Sequence, residues 1–409
     1  MKLLLSSPSQ LKISAEVTVT GSKSETNRLL LLQALYPNLE IKNRSNSDDA
    51  QVMQKGLGVS EGTVDIHHAG TAMRFLTSFF ASQEGREVVL TGSKRMKERP
   101  IKVLVEALWQ LDADIQYLEN EGYPPLKISG KKLTKNNVQL PANVSSQYIS
   151  SLCLVGSSLE NGLTIDLIGK ITSVPYIKMT LALLEEIGVK TVFEGNQIQI
   201  FPKQEVASKV MVVESDWSAA SYYYSIVALG DVGSVIRLSA YKEDSLQGDS
   251  VLSKIYLDFG VRTYFEGNTI VLKKEKEPEL TSIDLQLDNA PDIAQTIAVT
   301  CLGLGLRCHL TGLHTLPIKE TDRLAAMKTE LGKFGASVSI DDESLLLDAL
   351  AQITMGPTVD TYNDHRMAMA FAPLALKANF GMNDAEVVSK SYPDFWKDMK
   401  NVGLTISEA

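Results

Sequence analysis

Cysteine is scarce in this chain, with three among 409 residues: Cys153, Cys301 and Cys308. None falls in a metal-ligand spacing, and three thiols build no disulfide framework. A stapled secreted scaffold and a zinc module are therefore excluded. A reducing, cytoplasmic compartment fits this usage. No run approaches the ~18 apolar residues of a membrane span. Met1 to Leu5 is too short for the apolar core of a secretory signal, ~7–15 residues. Excess positive charge is missing too: 40 Lys and Arg stand against 49 Asp and Glu, a formal net charge of −9. Nucleic acid and anionic membrane are thus poor candidates for the main partner. A small anion in a local basic pocket is not excluded.

What the chain does contain is a repeat. An amphipathic helix ends on an apolar residue plus Gly or Asp, and a strand, a tight turn and a second strand follow. The clearest copy runs Leu183-Leu184-Glu185-Glu186-Ile187-Gly188-Val189, then a strand to Phe193, the turn Glu194-Gly195-Asn196 and the strand Ile198-Gln199-Ile200. Tyr256 to Val261 leads in the same way to the turn Glu266-Gly267-Asn268, and Leu331 to Ala336 to the turn Asp341-Asp342-Glu343. A looser copy surrounds Leu108 to Ala113. Gly after a helix end suits a C-cap, and Gly-Asn suits a hairpin. The markers Asp112, Gly188, Gly260 and Gly335 lie 76, 72 and 75 residues apart. Gly58 and Gly403 extend the series to six units of ~70 residues.

An α/β (α+β) fold of two similar domains is therefore expected, with three repeats in each. Residues 21–215 form the first domain and residues 1–20 plus 216–409 the second. The sixth copy is expected to stop at its helix and to lack its strand pair. The spare strands Leu3-Leu4-Leu5 and Leu11 to Val19 then pack with the C-terminal half. A cleft between two such domains is a favoured ligand site.

Several stretches carry chemistry. Gly21-Ser22-Lys23-Ser24-Glu25-Thr26-Asn27-Arg28 follows a strand-like run and opens a very apolar helix. Backbone N–H groups and the helix dipole there favour an anion, with Lys23 and Arg28 adding charge. It is not a nucleotide P-loop, which needs Gly directly before the Lys and again five residues further back; Ser22 and Val17 stand there. An ordinary polar helix start fits the stretch equally well. Ala69-Gly70-Thr71 opens a second apolar helix. His67-His68 beside it lacks the third ligand of a metal site. Arg95-Met96-Lys97-Glu98-Arg99-Pro100, if extended, turns three cations to one side; a solvated surface turn is the bland alternative. Val144-Ser145-Ser146-Gln147-Tyr148 and Thr172-Ser173-Val174-Pro175-Tyr176 offer hydroxyl and amide groups that suit neutral ligands or simple capping. Asp292 precedes an apolar helix, as a cap or as a general base. Lys319 and Arg323, four apart, share a face if that segment is helical, with Glu320 between them. Asp364-His365-Arg366 sits at the mouth of another apolar helix, and Lys390 lies in a polar turn.

Taken in series, Gly-Ser-Lys-Ser…Asn-Arg, Ala-Gly-Thr-Ala-Met-Arg, Arg-Met-Lys-Glu-Arg-Pro, Ser-Ser-Gln, Pro-Asp, Lys-Glu-Thr-Asp-Arg and Asn-Asp-His-Arg-Met-Ala-Met resemble the enolpyruvyl transferase family, in its 5-enolpyruvylshikimate-3-phosphate synthase branch. The resemblance covers essentially the whole chain. It implies a two-domain inside-out α/β barrel, each domain made of three βαβαββ repeats, with the active site in the interdomain cleft. It implies transfer of the enolpyruvyl group of phosphoenolpyruvate to the 5-hydroxyl of shikimate 3-phosphate, by addition and elimination, with no metal or cofactor. A cytoplasmic monomer of the shikimate pathway is expected, with no nucleic-acid or membrane partner.

By the same resemblance, Asp292, Glu320 and Lys23 are catalytic. Asp292 is the base at the 5-hydroxyl, and Glu320 is the proton donor and acceptor at the methylene carbon. Lys23, Ser24, Arg28, Ser145, Ser146, Gln147, Ser173, Tyr176, Asp292 and Lys319 bind shikimate 3-phosphate. Lys23, Gly70, Arg99, Gln147, Arg323, Arg366 and Lys390 bind phosphoenolpyruvate. Arg74, Arg95, Lys97 and His365 support them.

The chain departs from the family pattern at four places, one of them Thr315, at a position that is Asn in some members. His68 stands where Asn is usual, and Phe75 where Pro is usual. The stretch from Asp49 to His67 is short by about two dozen residues, so the first repeat has lost a helix or a strand pair. Two other readings follow. One is the sister enzyme acting on UDP-N-acetylglucosamine, whose usual acid is a Cys in the loop where Arg95 to Arg99 lie; no Cys stands there. The other is a catalytically impaired relative that binds anionic metabolites.

Overall fold

The structure is a computed structural model and describes residues 1–8, 10–143 and 145–409. The chain divides into two compact units, Gly21–Val213 and Met1–Thr20 with Glu214–Ala409. Glu214 and Ser215 go with the second unit: Trp217 Nε1 donates to Glu214 Oε1 at 2.8 Å, and the Ser215 N–H to the Ala240 carbonyl at 2.9 Å.

One topology recurs in both. A strand, an apolar helix, a parallel strand, a second helix and an antiparallel strand pair build a four-stranded sheet. The fourth strand lies between the second and the third. In the smaller unit one such sheet comes from 61–129 and another from 137–200. In the larger unit 282–347 gives a third. A fourth takes its first strand from Ser14–Val17, parallel to Val235–Ser239, and the rest from 235–274. Hairpins fall at Gly195-Asn196 and Gly267-Asn268, both glycines with positive φ.

Two repeats differ from expectation. The last does not stop at its helix. Thr405–Glu408 is its third strand and Leu3–Ser6 its fourth, paired antiparallel with each other. The two chain ends thus share one sheet, with Leu3 and Leu5 buried. Six residues after the marker Gly403 are too few for two strands and a turn, but enough for one strand. The repeat that begins at Lys23 keeps both helices, Lys23–Leu35 and Asp48–Leu57, and one parallel strand pair, Leu39–Lys42 with Lys209–Val212. Its antiparallel pair is the missing part. Gln33 Nε2 donates to the Leu39 carbonyl at 2.6 Å, covering backbone at the edge that a hairpin strand fills elsewhere.

The first helix of each repeat is the interior one. Trp217–Leu229, Ala294–Leu304 and His365–Phe371 in one unit, and Lys23–Leu35, Gly70–Ser82 and Ser146–Gly156 in the other, are buried along most of their length. Most are apolar along their length and have no face to give to water, while Lys23–Leu35 is polar up to Arg28 and mainly apolar from Leu29. Serine and threonine hydroxyls link them where they cross. Ser151 Oγ donates to Ser78 Oγ at 2.6 Å, and Thr300 Oγ1 to Ser225 Oγ at 2.8 Å. The sheets form the outer layer. Among the described residues no helix is long and apolar enough to cross a membrane.

Candidate active site

Within each unit the candidate residues gather at the N-terminal ends of the three interior helices. The repeat explains this. Each such helix follows a first strand, so the three N-termini emerge at corresponding places and carry partial positive charge.

In the smaller unit, Lys23 opens the first of these helices, and its Nζ lies 3.2 Å from Asp49 Oδ2. Arg28 is buried one turn later. It donates to Thr180 Oγ1 at 2.7 Å, to the Ser24 carbonyl at 2.8 Å, to Ser150 Oγ at 3.1 Å and to the Tyr176 carbonyl at 3.4 Å. Ser24 and Tyr176 are thereby tied to Arg28 through their backbones. Burial lowers the Arg28 guanidinium to about 10, so it stays charged at neutral pH.

Gly70 opens the second helix against Arg99. A Cβ at Gly70 would stand 2.6 Å from Arg99 Nη1, so glycine is what lets the guanidinium lie on the helix end. Arg74 braces this arrangement from below, donating to the Gly70 and Pro100 carbonyls, each at 3.1 Å. Ser145 caps the third helix, accepting from the Gln147 N–H at 3.4 Å, and leads into Ser146. Gln147 Nε2 reaches Thr71 Oγ1 at 3.1 Å, joining the second and third helix starts. Ser173 takes a left-handed φ of 53° before the helix that carries Tyr176.

Arg95 to Arg99 is not extended. Ser93 caps a short helix, Lys94–Lys97, by accepting from the Met96 N–H at 3.3 Å. That turn separates the three cations. Arg99 is buried, Lys97 meets Glu119 at 2.6 Å, and Arg95 lies 3.5 Å from Glu98. His68 Nδ1 sits 3.0 Å from Ser93 Oγ, whereas His67 is exposed beside Asp65. Among the described residues no group of three or more His, Cys, Asp or Glu is arranged to hold a metal ion.

In the larger unit Arg323 is the hub. It is 1% exposed. Its Nη1 meets Asp292 Oδ1 at 2.8 Å, its Nη2 meets Glu320 Oε2 at 2.8 Å, and its Nε meets Asp364 Oδ2 at 2.7 Å. Lys319 and Arg366 also converge on Asp292, at 3.4 Å and 3.3 Å. Burial pushes the Asp292 carboxyl up. The cations Arg366, Lys319 and Arg323 more than offset it and hold the group well below the ordinary carboxylate range. Burial lowers Lys319, with Asp292 opposing. Burial also works against the Arg366 charge, yet Asp292 leaves that guanidinium raised.

Lys319 and Arg323 meet at Asp292 for a reason other than a shared helical face. The helix begins only at Arg323, capped by Asp322, and Lys319 ends a short 3-10 turn after Pro317. Asp292 is not a helix cap, because its carboxylate goes to the cations. Asp364 accepts from the Arg366 N–H at 2.9 Å as well as from Arg323. Lys390 Nζ donates to the Asn363 carbonyl. His365 is buried on the same helix.

Three participants escaped the motif reading. Asp49 pairs with Lys23. Ser218 accepts from Arg366 Nη2 at 3.2 Å and donates to Asp249. Burial pushes the Asp249 carboxyl up to about 6, against the pull of Arg366. The available signal was slight: Gln247-Gly248-Asp249 is an acid after Gly, a few residues beyond the charged run Lys242-Glu243-Asp244.

With this geometry in place, comparison with known proteins gives a consistent picture. The model of the family described as EPSP synthase (3-phosphoshikimate 1-carboxyvinyltransferase) matches residues 58–399. A 3-phosphoshikimate 1-carboxyvinyltransferase of Bacteroides fragilis strain NCTC 9343 is 43% identical over 412 residues, covering 99% of each chain. One from Vibrio atlanticus strain LGP32 is 35% identical over 423 residues, covering 96% of this chain and 98% of the other. Among solved structures, an EPSP synthase of Acinetobacter baumannii superposes with a TM-score of 0.79 at 21% identity, covering 100% of this chain and 99% of that one. This last likeness carries the inside-out barrel fold.

Proposed function

The chain belongs to the EPSP synthase (3-phosphoshikimate 1-carboxyvinyltransferase) family, and from that membership we propose how its own residues carry the family reaction. The reaction transfers the enolpyruvyl group of phosphoenolpyruvate to the 5-hydroxyl of shikimate 3-phosphate and releases phosphate, a step of the shikimate pathway. A cytoplasmic location goes with that role.

Both substrates are polyanions, and both units contribute cations. In the smaller unit Lys23, Ser24, Arg28, Ser145, Ser146, Gln147, Ser173 and Tyr176 hold shikimate 3-phosphate. Gly70 and Arg99, with Lys23 and Gln147, hold phosphoenolpyruvate. In the larger unit Asp292 and Lys319 reach the shikimate hydroxyls, while Arg323, Arg366 and Lys390 hold phosphoenolpyruvate.

In the addition step Glu320 gives a proton to the methylene carbon of phosphoenolpyruvate. The 5-hydroxyl attacks the adjacent carbon and loses its proton to Asp292. In the elimination step Glu320 takes a proton back from the same carbon and phosphate departs, carrying away the proton that Asp292 had taken from the hydroxyl. Lys23 assists by meeting negative charge as it develops. The single observation behind this scheme is the Asp292 carboxylate gripped by Arg323, Arg366 and Lys319. So held, Asp292 is a weak base. An anionic substrate that draws Arg366 toward itself raises the proton affinity of Asp292, which ties base strength to substrate binding.

The test is phosphate release on mixing the protein with both substrates. Release is expected with shikimate 3-phosphate and not with UDP-N-acetylglucosamine; the reverse pattern favours the sister enzyme. Binding without release from either favours the impaired relative. Glu320→Gln is expected to lower kcat at least ~100-fold while leaving shikimate 3-phosphate affinity within twofold. A wild-type rate removes Glu320 from the scheme.

A further inference from the structure

Arg28 carries a buried charge whose hydrogen bonds all go to neutral oxygens: the hydroxyls of Thr180 and Ser150 and the carbonyls of Ser24 and Tyr176. A guanidinium taken out of water needs negative potential from some source. The Glu25 carboxylate on the same helix acts through space without a hydrogen bond to Arg28, and two aromatic rings supply a further part. Arg28 Cζ lies 5.5 Å from the centroid of Phe75 and 6.0 Å from that of Tyr176, within the ~6 Å over which a ring face attracts a cation. Phe75 is fully buried on the helix Gly70–Ser82, so its ring is already in place. A carboxylate in the same position would also steady Arg28, but it would cancel the charge. A ring quadrupole steadies the cation and leaves its net charge intact.

We propose that Phe75 is a positioning residue for Arg28: its ring holds the buried guanidinium in orientation so that the full positive charge remains for anionic shikimate 3-phosphate. This rests on the reading of Arg28 as a ligand of shikimate 3-phosphate. Tyr176 flanks Arg28 more distantly, and its backbone carbonyl shares the same guanidinium. The effect of Phe75 is therefore specific to one substrate, although its helix begins at Gly70, on the phosphoenolpyruvate side.

The test replaces Phe75 in the full-length protein by mono- and then trifluorinated phenylalanine, which drains the ring face of negative charge at nearly constant shape. Calorimetric affinity for shikimate 3-phosphate is expected to weaken stepwise, by about 3- to 10-fold for the trifluoro ring. The KM for the same substrate should follow. The kcat and the KM for phosphoenolpyruvate should stay within twofold. Phe75→Leu, which keeps an apolar side chain without a ring, should show the same selective loss. An affinity that does not change with fluorination overturns the proposal. So does a parallel rise in both KM values, which would mean that Phe75 only packs its helix. If the wild-type protein binds shikimate 3-phosphate but releases no phosphate, the reaction assignment fails and the fluorination series still decides the role of Phe75. If it binds no shikimate 3-phosphate, both fail.

Discussion

At the scale of single residues the decisive feature is how buried charges are balanced. Arg323 answers three carboxylates at once, whereas Arg28 leans on hydroxyls, carbonyls and rings. Asp249 sits between these extremes. It is 1% exposed, and burial has pushed its carboxyl to about 6, above its ordinary 3.8. A carboxyl raised on folding adds stability at pH values below 3.8, and that contribution is lost as pH rises through about 6. Asp249→Asn removes the titration. The variant is therefore expected to gain on the wild type as pH rises from 4 to 7, by up to ~3 kcal/mol. Urea unfolding at both pH values measures this, and a pH-independent difference between the two proteins rules it out. The charged candidate residues themselves were legible in the sequence because motifs name residue types. Their partners were not. Asp49, Ser218 and Asp249 come from other segments, and only packing brings them to Lys23 and Arg366.

At the scale of elements the repeat has a backbone cause. Five of its six markers adopt the left-handed conformation: Asp112 at φ 66°, Gly188 at 82°, Gly260 at 78°, Gly335 at 92° and Gly403 at 107°. Each reverses the chain from the second helix into the third strand. Gly58 stays right-handed at φ −80°; its helix leads straight to the next repeat, without a strand pair. Asp112 is the one non-glycine among the five, exposed and bonded to Lys135 at 2.9 Å. Since a surface pair is worth little and left-handed φ costs a side chain ~1 kcal/mol, Asp112→Gly should raise stability by up to ~1 kcal/mol. Gly260→Ala should do the opposite, and by more, because its Cβ would stand 1.9 Å from the Lys276 carbonyl oxygen. Thermal unfolding of the two variants checks both signs. The hairpins were readable because Gly-Asn turns are local. The spacing of Arg95, Lys97 and Arg99 suggests an extended run, but the Ser93 cap sets the local backbone and starts the short helix Lys94–Lys97.

At the scale of the whole molecule the order of the chain and the order of the repeats are offset. Ser14–Val17 is the first strand of a repeat whose helix begins only at Trp217, and Lys209–Val212 pairs with Leu39–Lys42 from the far end of its unit. The two chain termini complete one sheet. Leu3–Ser6 is paired on both sides, with Phe380–Met382 and with Thr405–Glu408. Deleting residues 1–6 removes the buried Leu3 and Leu5 and uncovers both neighbouring strands. It should cost the larger unit several kcal/mol, at ~1.5–3 for each buried leucine. Trp217 and Trp396 report on that unit and Trp109 on the other. In single-tryptophan variants the first two signals are expected to unfold at lower urea after the deletion, with the Trp109 transition unmoved. A shift of all three would show that the strand supports the entire chain.

The sequence by itself determined what depends on local chemistry and on number. Six periods, the apolar interior helices, the hairpin turns and the series of motifs are all written in consecutive residues. The tertiary structure alone decided which charges meet. Gly21 to Arg28 looks like one anion-binding turn, yet its two cations have separate surroundings. Lys23 lies beside Asp49 at the helix start, while Arg28 is sealed among Thr180, Ser150, Phe75 and Tyr176. Those partners lie 26 to 152 positions away along the chain. Coulomb and ring–cation forces act through space, at distances that only the packing of the repeats sets.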